Sequence, residues 1–365
     1  MSVLPTAPVR EFRRDRLAVL PDGRAVTRWT FGWPGLVTAQ VLDLGARLYA
    51  LQVPDRSGRL DEVVLSPADP ADFLGPARYV GATIGRYANR IADGDLPLGT
   101  RRHALATQED GICLHGGPDG FDTRLWDGRP LEEGGQLGLR FRLHSPDGDQ
   151  GFPGALTATV DYLLDPTGAL TLRYHAVADA PTVVNLTNHA YFDLSGGRDG
   201  DVLDHELQVE ADQYLPIGAD LLPLGPDAPV AGTPFDLLRS RRLGAAIDDT
   251  HAQLDRAGDG FDHNWVLRDA VGLRRVATLA HPASGRRVEC WTTEPGLQVY
   301  TGNHFGLDSA GFVTAAGGRC ATYAGVALET QRFPDSPHHP TYPSAALVPG
   351  EEYRSTTVYR FGVDH

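Results

Sequence analysis

Two polar side chains stand inside otherwise apolar runs, and their types are suited to moving protons. In VVNLTNHAYFDLSG (183–196), His189 lies between an amide and two aromatic rings at the end of what reads as a strand. An imidazole with an ordinary pKa of about 6.5 can give or take a proton near neutrality. In CATYAGVALETQRF (320–333), nine uncharged residues precede Glu329. If that run is a strand, Val326, Leu328 and Thr330 point one way while Ala327, Glu329 and Gln331 point the other. A carboxylate in half-buried surroundings needs hydrogen-bond donors or a substrate to remain ionised. Each residue also has a plain local reading. His189 alone reads as a hydrogen-bonded core histidine, and Glu329 alone as a strand-end glutamate facing water or pairing with Arg332.

Four further stretches carry polar groups that could hold a ligand. Arg90, in YVGATIGRYANRIADG (79–94), could reach one or form a surface ion pair with Asp93 or Asp95. His115 precedes two glycines in ICLHGGPDGFDTRLW (112–126), where backbone can approach closely, and a plain loop histidine fits equally well. FDHNW (261–265) puts Asp262 and Asn264 on one face of a possible strand, or in a turn or cap. Gln298, in PGLQVYTGN (295–303), could bind a ligand or satisfy backbone groups in the core. Other site patterns fail. There is no H-E-x-x-H, and His338 and His339 adjoin in a proline-rich loop, so no metal is expected. DRAGDGFDH (255–263) puts Ala257 where a calcium loop needs an oxygen ligand. Neither a G-x-S-x-G elbow nor a G-x-G-x-x-G dinucleotide turn occurs.

The elements that must position these groups are short. Forty-two glycines and twenty-seven prolines leave little room for long helices and favour many strands joined by turns. ALTATVDYLL (155–164) and ALTLRYHAVA (169–178) alternate apolar and polar residues around Asp165-Pro-Thr-Gly, which predicts an antiparallel hairpin. A second pair is expected within HELQVEADQYLPI (205–217), a helix only within FDLLRSRRLGAAID (235–248), and long surface loops over 219–234. The expected fold is all-β: one large antiparallel β-sandwich over residues 1–365 with few short helices, two smaller sandwiches being the alternative.

Composition narrows the chemistry. The net charge of −14, with no run of five like charges, disfavours nucleic acid and anionic membranes as partners. No stretch reaches the roughly 20 apolar residues of a membrane span, and the first twenty residues contain no signal-peptide core, so a soluble, cytoplasmic protein is expected. Cys113, Cys290 and Cys320 are odd in number and widely spaced, which predicts buried free thiols. The sequence contains no lysine. Schiff-base chemistry, pyridoxal phosphate and Walker-type P-loops are thereby excluded together.

Taken in order, VGATIGRYANRI, LHGG followed by GFD and W, NLTNHAYFDL, FDHNW, PGLQVYTGN and LETQRFPDSPHHP resemble the motif series of the aldose 1-epimerase family. The likeness runs from VPDRSGRL near residue 53 to the C-terminal PGEEYRSTTVYRF. It implies a single large β-sandwich and interconversion of the anomers of a free aldohexose such as glucose or galactose, with no cofactor. It also implies Glu329 as the base at the C1 hydroxyl and His189 as the acid at the ring oxygen. Arg90, His115, Asp262 and Gln298, with Asn89 and Tyr191, would bind the monosaccharide, and Asn188 and Tyr191 would fix the imidazole. A monomer or homodimer is expected. The chain departs from the pattern at His103 and the acidic pair Glu109-Asp110, and at Ala190 and Asp193, where serine and asparagine are familiar. Three other readings compete. A hexose-phosphate epimerase would use arginines such as those in 101–103 and 239–242, and a glycoside hydrolase would need Asp262 as its second carboxylate. A non-catalytic sugar-binding protein would need neither.

Overall fold

The computed structural model describes residues 10–108, 111–269, 271–306 and 311–364, so the acidic pair at 109–110 lies outside the described residues. Three antiparallel sheets hold most of the strand residues. The first is a meander of five strands, Glu11–Val19, Ala25–Trp33, Val37–Leu42, Arg47–Pro54 and Leu60–Glu62. The second has nine, in the spatial order Asp127–Glu133, Gln136–Ser145, Leu156–Leu164, Ala169–Ala178, Tyr353–Val363, Arg286–Thr292, Arg274–Ala280, Glu206–Val209 and Arg241–Arg242. The third has six, in the order Tyr191–Phe192, Val326–Gln331, Gly296–Tyr300, Asp262–Val266, Gln213–Leu215 and Ala228–Pro229.

One large apolar cluster draws on all three sheets, with Phe31 and Val41 from the first, Val160, Leu172 and Tyr359 from the second, and Trp265, Val299 and Leu328 from the third. Burial of the inward positions of each strand drives this stacking, because alternate residues along a strand share one face. The expected hairpin forms with Leu156 opposite Ala178 and Leu164 opposite Leu170. Its turn is closed by Asp165, whose side chain accepts from the Thr167 amide at 2.8 Å.

Two local expectations are corrected. Within 205–217, Glu206–Val209 joins the nine-stranded sheet while Gln213–Leu215 joins the six-stranded one, so the two strands do not pair with each other. The linker Glu210-Ala211-Asp212 has no glycine for a tight reversal, and Ala211 is buried as the chain crosses between sheets. In 235–248 only Leu243–Ile247 is helical, and residues 241–242 are strand. A second short helix, Ala252–Arg256, begins where the His251 ring accepts from the Gln253 amide. The three cysteines are free and buried, as expected. Among the described residues, no helix is long and apolar enough to cross a membrane.

Candidate active site

The six-stranded sheet has two unlike faces, set by strand alternation. Trp265, Leu297, Val299 and Leu328 turn into the core. The opposite face carries Asp262 and Asn264, Gln298 and Tyr300, and Ala327, Glu329 and Gln331. Register aligns Asn264, Gln298 and Glu329 in one row across three strands. Tyr191 pairs with Ala327 on the next strand, and His189 lies two residues before Tyr191 as Glu329 lies two beyond Ala327. Their side chains meet, with His189 Nε2 3.6 Å from Glu329 Oε1. Two residues 140 positions apart are thus brought together next to a strand pairing.

His189 is fixed through its backbone. Its amide donates to the Ala82 carbonyl at 2.9 Å and its carbonyl accepts from the Gly81 amide at 2.8 Å. Asn188 acts on this scaffold, donating to the Gly81 carbonyl at 2.7 Å and accepting from the Ala190 amide at 3.1 Å. The imidazole itself packs on the Tyr191 ring, with centroids 4.9 Å apart. Of the two residues expected to hold that ring, Tyr191 touches it and Asn188 holds the backbone instead.

A second imidazole comes from the loop after residue 114. Arg90-Ile91 pairs with Cys113-Leu114, bringing His115 beside Asn89. The Asn89 amide donates to His115 Nδ1 at 3.1 Å, and the His115 amide donates to the Asn89 carbonyl at 2.9 Å. Gly116 makes this turn possible, since at its φ of +86° a Cβ would lie 2.0 Å from the Gly85 carbonyl oxygen. With Nδ1 accepting, neutral His115 carries its proton on Nε2 and is a donor there. Its ring meets that of His189 edge-on at 5.2 Å.

The remaining candidates lie around this core. Arg90 faces Asp262 at 3.5 Å, and its amide donates to Asn89 Oδ1 at 3.0 Å. The alternative surface pair with Asp95 does not form, because Asp95 is held by Arg102. Gln298 donates to Asp262 Oδ1 at 2.6 Å, leaving its own oxygen free. Glu329 is not bound to Arg332, which faces Glu294 at 3.5 Å. All eight residues singled out from the sequence are therefore gathered in one region. Sequence reasoning passed over Tyr79, whose ring lies 4.7 Å from that of His115, and Tyr300, 5.9 Å from that of Tyr191. Neither carries a charge or spacing that would mark it.

Burial governs the electrostatics. Glu329 is only 2% exposed and its Oε2 has no hydrogen-bond partner. Desolvation therefore raises its pKa well above the usual carboxyl value; Asp262 adds to the rise, and Arg90 opposes it. Burial lowers His189 to about 4, with Asp262 acting against the shift. His115 is also pushed well below 6.5, first by burial and then by His189 and Arg90. Burial thus disfavours the charged form of both groups, the carboxylate and the imidazolium.

Among the described residues, His115, His189 and Glu329 bring ligand atoms within 4.8 Å of one another. A tetrahedral zinc ion needs a lone pair on each ligand nitrogen. His115 does not meet that need at Nε2, because its Nδ1 already accepts the Asn89 amide. The trio suits proton transfer better than metal ligation.

The fold is all-β, and one of its sheets carries a buried carboxyl–imidazole pair of types that can exchange protons. The sequence profile described as Aldose 1-epimerase matches residues 27–360. The galactose mutarotase of Homo sapiens is 43% identical over 331 residues, 90% of this chain and 92% of that protein. The aldose 1-epimerase of Escherichia coli (strain K12) is 37% identical over 350 residues, 94% of this chain and 97% of that protein. The crystal structure of galactose 1-epimerase from Lactobacillus acidophilus NCFM superposes with a TM-score of 0.84 at 28% identity, covering 98% of this chain and all of that one. The chain belongs to the aldose 1-epimerase family and is an isomerase.

Proposed function

We propose that the protein interconverts the α and β anomers of free aldohexoses, glucose and galactose among them, with Glu329 and His189 as the proton-transfer pair. Opening the ring moves two protons. The C1 hydroxyl gives its proton to the Glu329 carboxylate while the His189 imidazolium gives one to the ring oxygen, so the C1–O5 bond breaks and C1=O forms. The pair is then carboxylic acid and neutral imidazole, the state that burial favours without substrate. After rotation about C1–C2, the steps reverse on the other face of the aldehyde. In the starting complex, the C1 hydroxyl donating to Glu329 and the ring oxygen accepting from His189 favour the charged form of the pair.

The observation that carries this reading is the 3.6 Å approach of two buried titratable groups with unsatisfied atoms on both sides, Glu329 Oε2 and His189 Nδ1. Arg90, Asp262 and Gln298 present charged and amide groups to the sugar hydroxyls, His115 offers its Nε2 proton, Asn89 steadies Arg90 and His115, and Tyr191 backs the imidazole. A free rather than phosphorylated sugar is favoured because three of the five clustered arginines are engaged elsewhere: Arg102 with Asp95, Arg241 with Asp249 and Arg242 with Asp204. We further assign residues 1–365 to one domain acting in the cytoplasm as a monomer or homodimer. Polarimetry on freshly dissolved α-glucose and α-galactose tests the activity. Anomerisation at the spontaneous rate would refute it, and equal rates on glucose 6-phosphate would refute the preference for free sugar.

A further inference from the structure

No hydrogen bond to another residue orients the His189 ring: Nδ1 has no such partner, and Glu329 Oε1 stands 3.6 Å from Nε2, beyond hydrogen-bond range. Proton-transferring imidazoles are ordinarily aimed by a carboxylate or carbonyl on the other nitrogen. Here aromatic rings are what touch it.

We propose that Tyr79 is a positioning residue for proton transfer, its ring holding the His189 and His115 imidazoles in their working planes. The inference rests on the reading of His189 as a proton-transfer group. The Tyr79 ring lies nearly parallel to His189, 14° between planes and 6.3 Å between centroids, and 4.7 Å from His115. Tyr191 stacks on His189 at 4.9 Å and is anchored separately, against Tyr300 and Phe305. Tyr79 packs beside Ala82, Ile84 and Ala88.

Tyr79 is tied to both histidine segments. Its carbonyl accepts from the Ala82 amide at 3.0 Å, and the Gly81 and Ala82 backbone holds His189. Gln108 stands close enough to its phenol to oppose the burial-driven rise of its pKa, and the Gln108 side-chain amide grips both backbone groups of Leu114 at 2.9 Å, just before His115. The Arg78 guanidinium lies 5.0 Å over the same ring and is itself held by Asp122 at 2.8 Å. Such packing suits a group that must give and take protons in alternation. An orienting carboxylate would stabilise the imidazolium and fix one tautomer, whereas ring contacts fix the plane and leave the proton free.

The titratable groups facing His189 are Glu329, His115, Tyr79 and Tyr191, with Asp262 and Arg47 acting electrostatically. Removing the Tyr79 ring should admit water and raise His189 from about 4 toward 6.5. The test compares Tyr79→Leu and Tyr79→Phe by polarimetry across pH and by NMR titration of the His189 ring, assigned through His189→Gln. Tyr79→Leu is expected to lose about 10- to 100-fold in kcat with KM within about threefold, because small misplacement of a reacting group is costly. Its acid limb should move upward with the His189 titration, and Tyr79→Phe should restore both. Tyr79→Met carries the same test if the leucine variant does not fold. A rate within about twofold of wild type, or a rate loss with an unmoved His189 titration, would overturn the role of Tyr79. A wild-type rate in His189→Gln would instead overturn the proton-transfer reading, while the NMR titration still reports whether Tyr79 holds the ring.

Discussion

Among the described residues, two buried histidine–carboxylate pairs have nearly equal separations and different surroundings. His189 and Glu329 lie 3.6 Å apart, and His205 and Asp193 lie 3.5 Å apart. Burial raises both carboxyls and lowers both imidazoles, so neither distance nor pKa direction separates them. Hydrogen bonding does. Asp193 accepts from the Ser195 and Gly197 amides, each at 2.9 Å, and His205 Nε2 accepts from the Leu194 amide at 2.8 Å. Those atoms hold a turn, and moving a proton there would disturb it. Glu329 has no such donor at Oε2, and its own turn-free strand needs none. Both histidines leave Nδ1 without a partner, so the difference lies on the carboxyls: Glu329 keeps a buried oxygen with no donor, at a cost in stability that a bound ligand could return.

The largest test of this contrast is removal of the reactive pair. Glu329→Gln and His189→Ala should each lower kcat by about 10²- to 10⁴-fold by polarimetry while melting stays close to wild type. A rate near that of the wild type in either would erase the distinction.

The pH profile should sharpen it. On the proposed mechanism the active free enzyme holds one proton between the two groups. Because burial lowers His189, a second proton is resisted until about pH 4, and the acid limb of kcat/KM should lie there rather than near 6.5. Because burial raises Glu329, the last proton leaves only well above pH 4.5, which sets the alkaline limb. The two limbs belong to the pair jointly. An acid limb near 6.5 would contradict the one-proton assignment.

The other pair should fail differently. Asp193→Ala strips acceptors from two amides and is expected to cost about 1–3 kcal/mol in denaturant unfolding, with the rate per folded molecule retained. Loss of rate without loss of stability would show that this pair too acts on substrate. The smallest effect is expected at Arg332, which stands near Glu329 in sequence but faces Glu294. Arg332→Ala should leave the rate within about twofold of wild type, as expected for a group outside the proton path.

Much of this arrangement was legible before folding was considered. The hairpin at 156–164 and 169–178 announced itself because alternation and turn chemistry agree locally. The run of Glu329 carries no such agreement, but taken as a strand its alternate positions give the faces that the structure has. The segment 205–217 misled because its two strands are individually clear, while the choice of sheet depends on distant partners at Ala277–Ala280 and Asn264–Val266. Motif order gathered Arg90, His115, His189, Asp262, Gln298 and Glu329, but not their partners. That Arg90 meets Asp262 instead of Asp93 or Asp95, and Arg332 meets Glu294, follows from contacts across the chain that no local window contains.

By itself, then, the sequence determined the all-β class, the absence of amine chemistry and the identities of the groups that could exchange protons, because turn residues, alternation and side-chain type are local properties. Tertiary structure alone decided that the carboxyl of Glu329 would have an oxygen without a donor, that His189 would be held by rings instead of a hydrogen bond, and that the outwardly similar Asp193 would be saturated. Protonation and reactivity depend on burial and on which backbone amides come within reach. Those are fixed only when strands far apart in the chain take up their register.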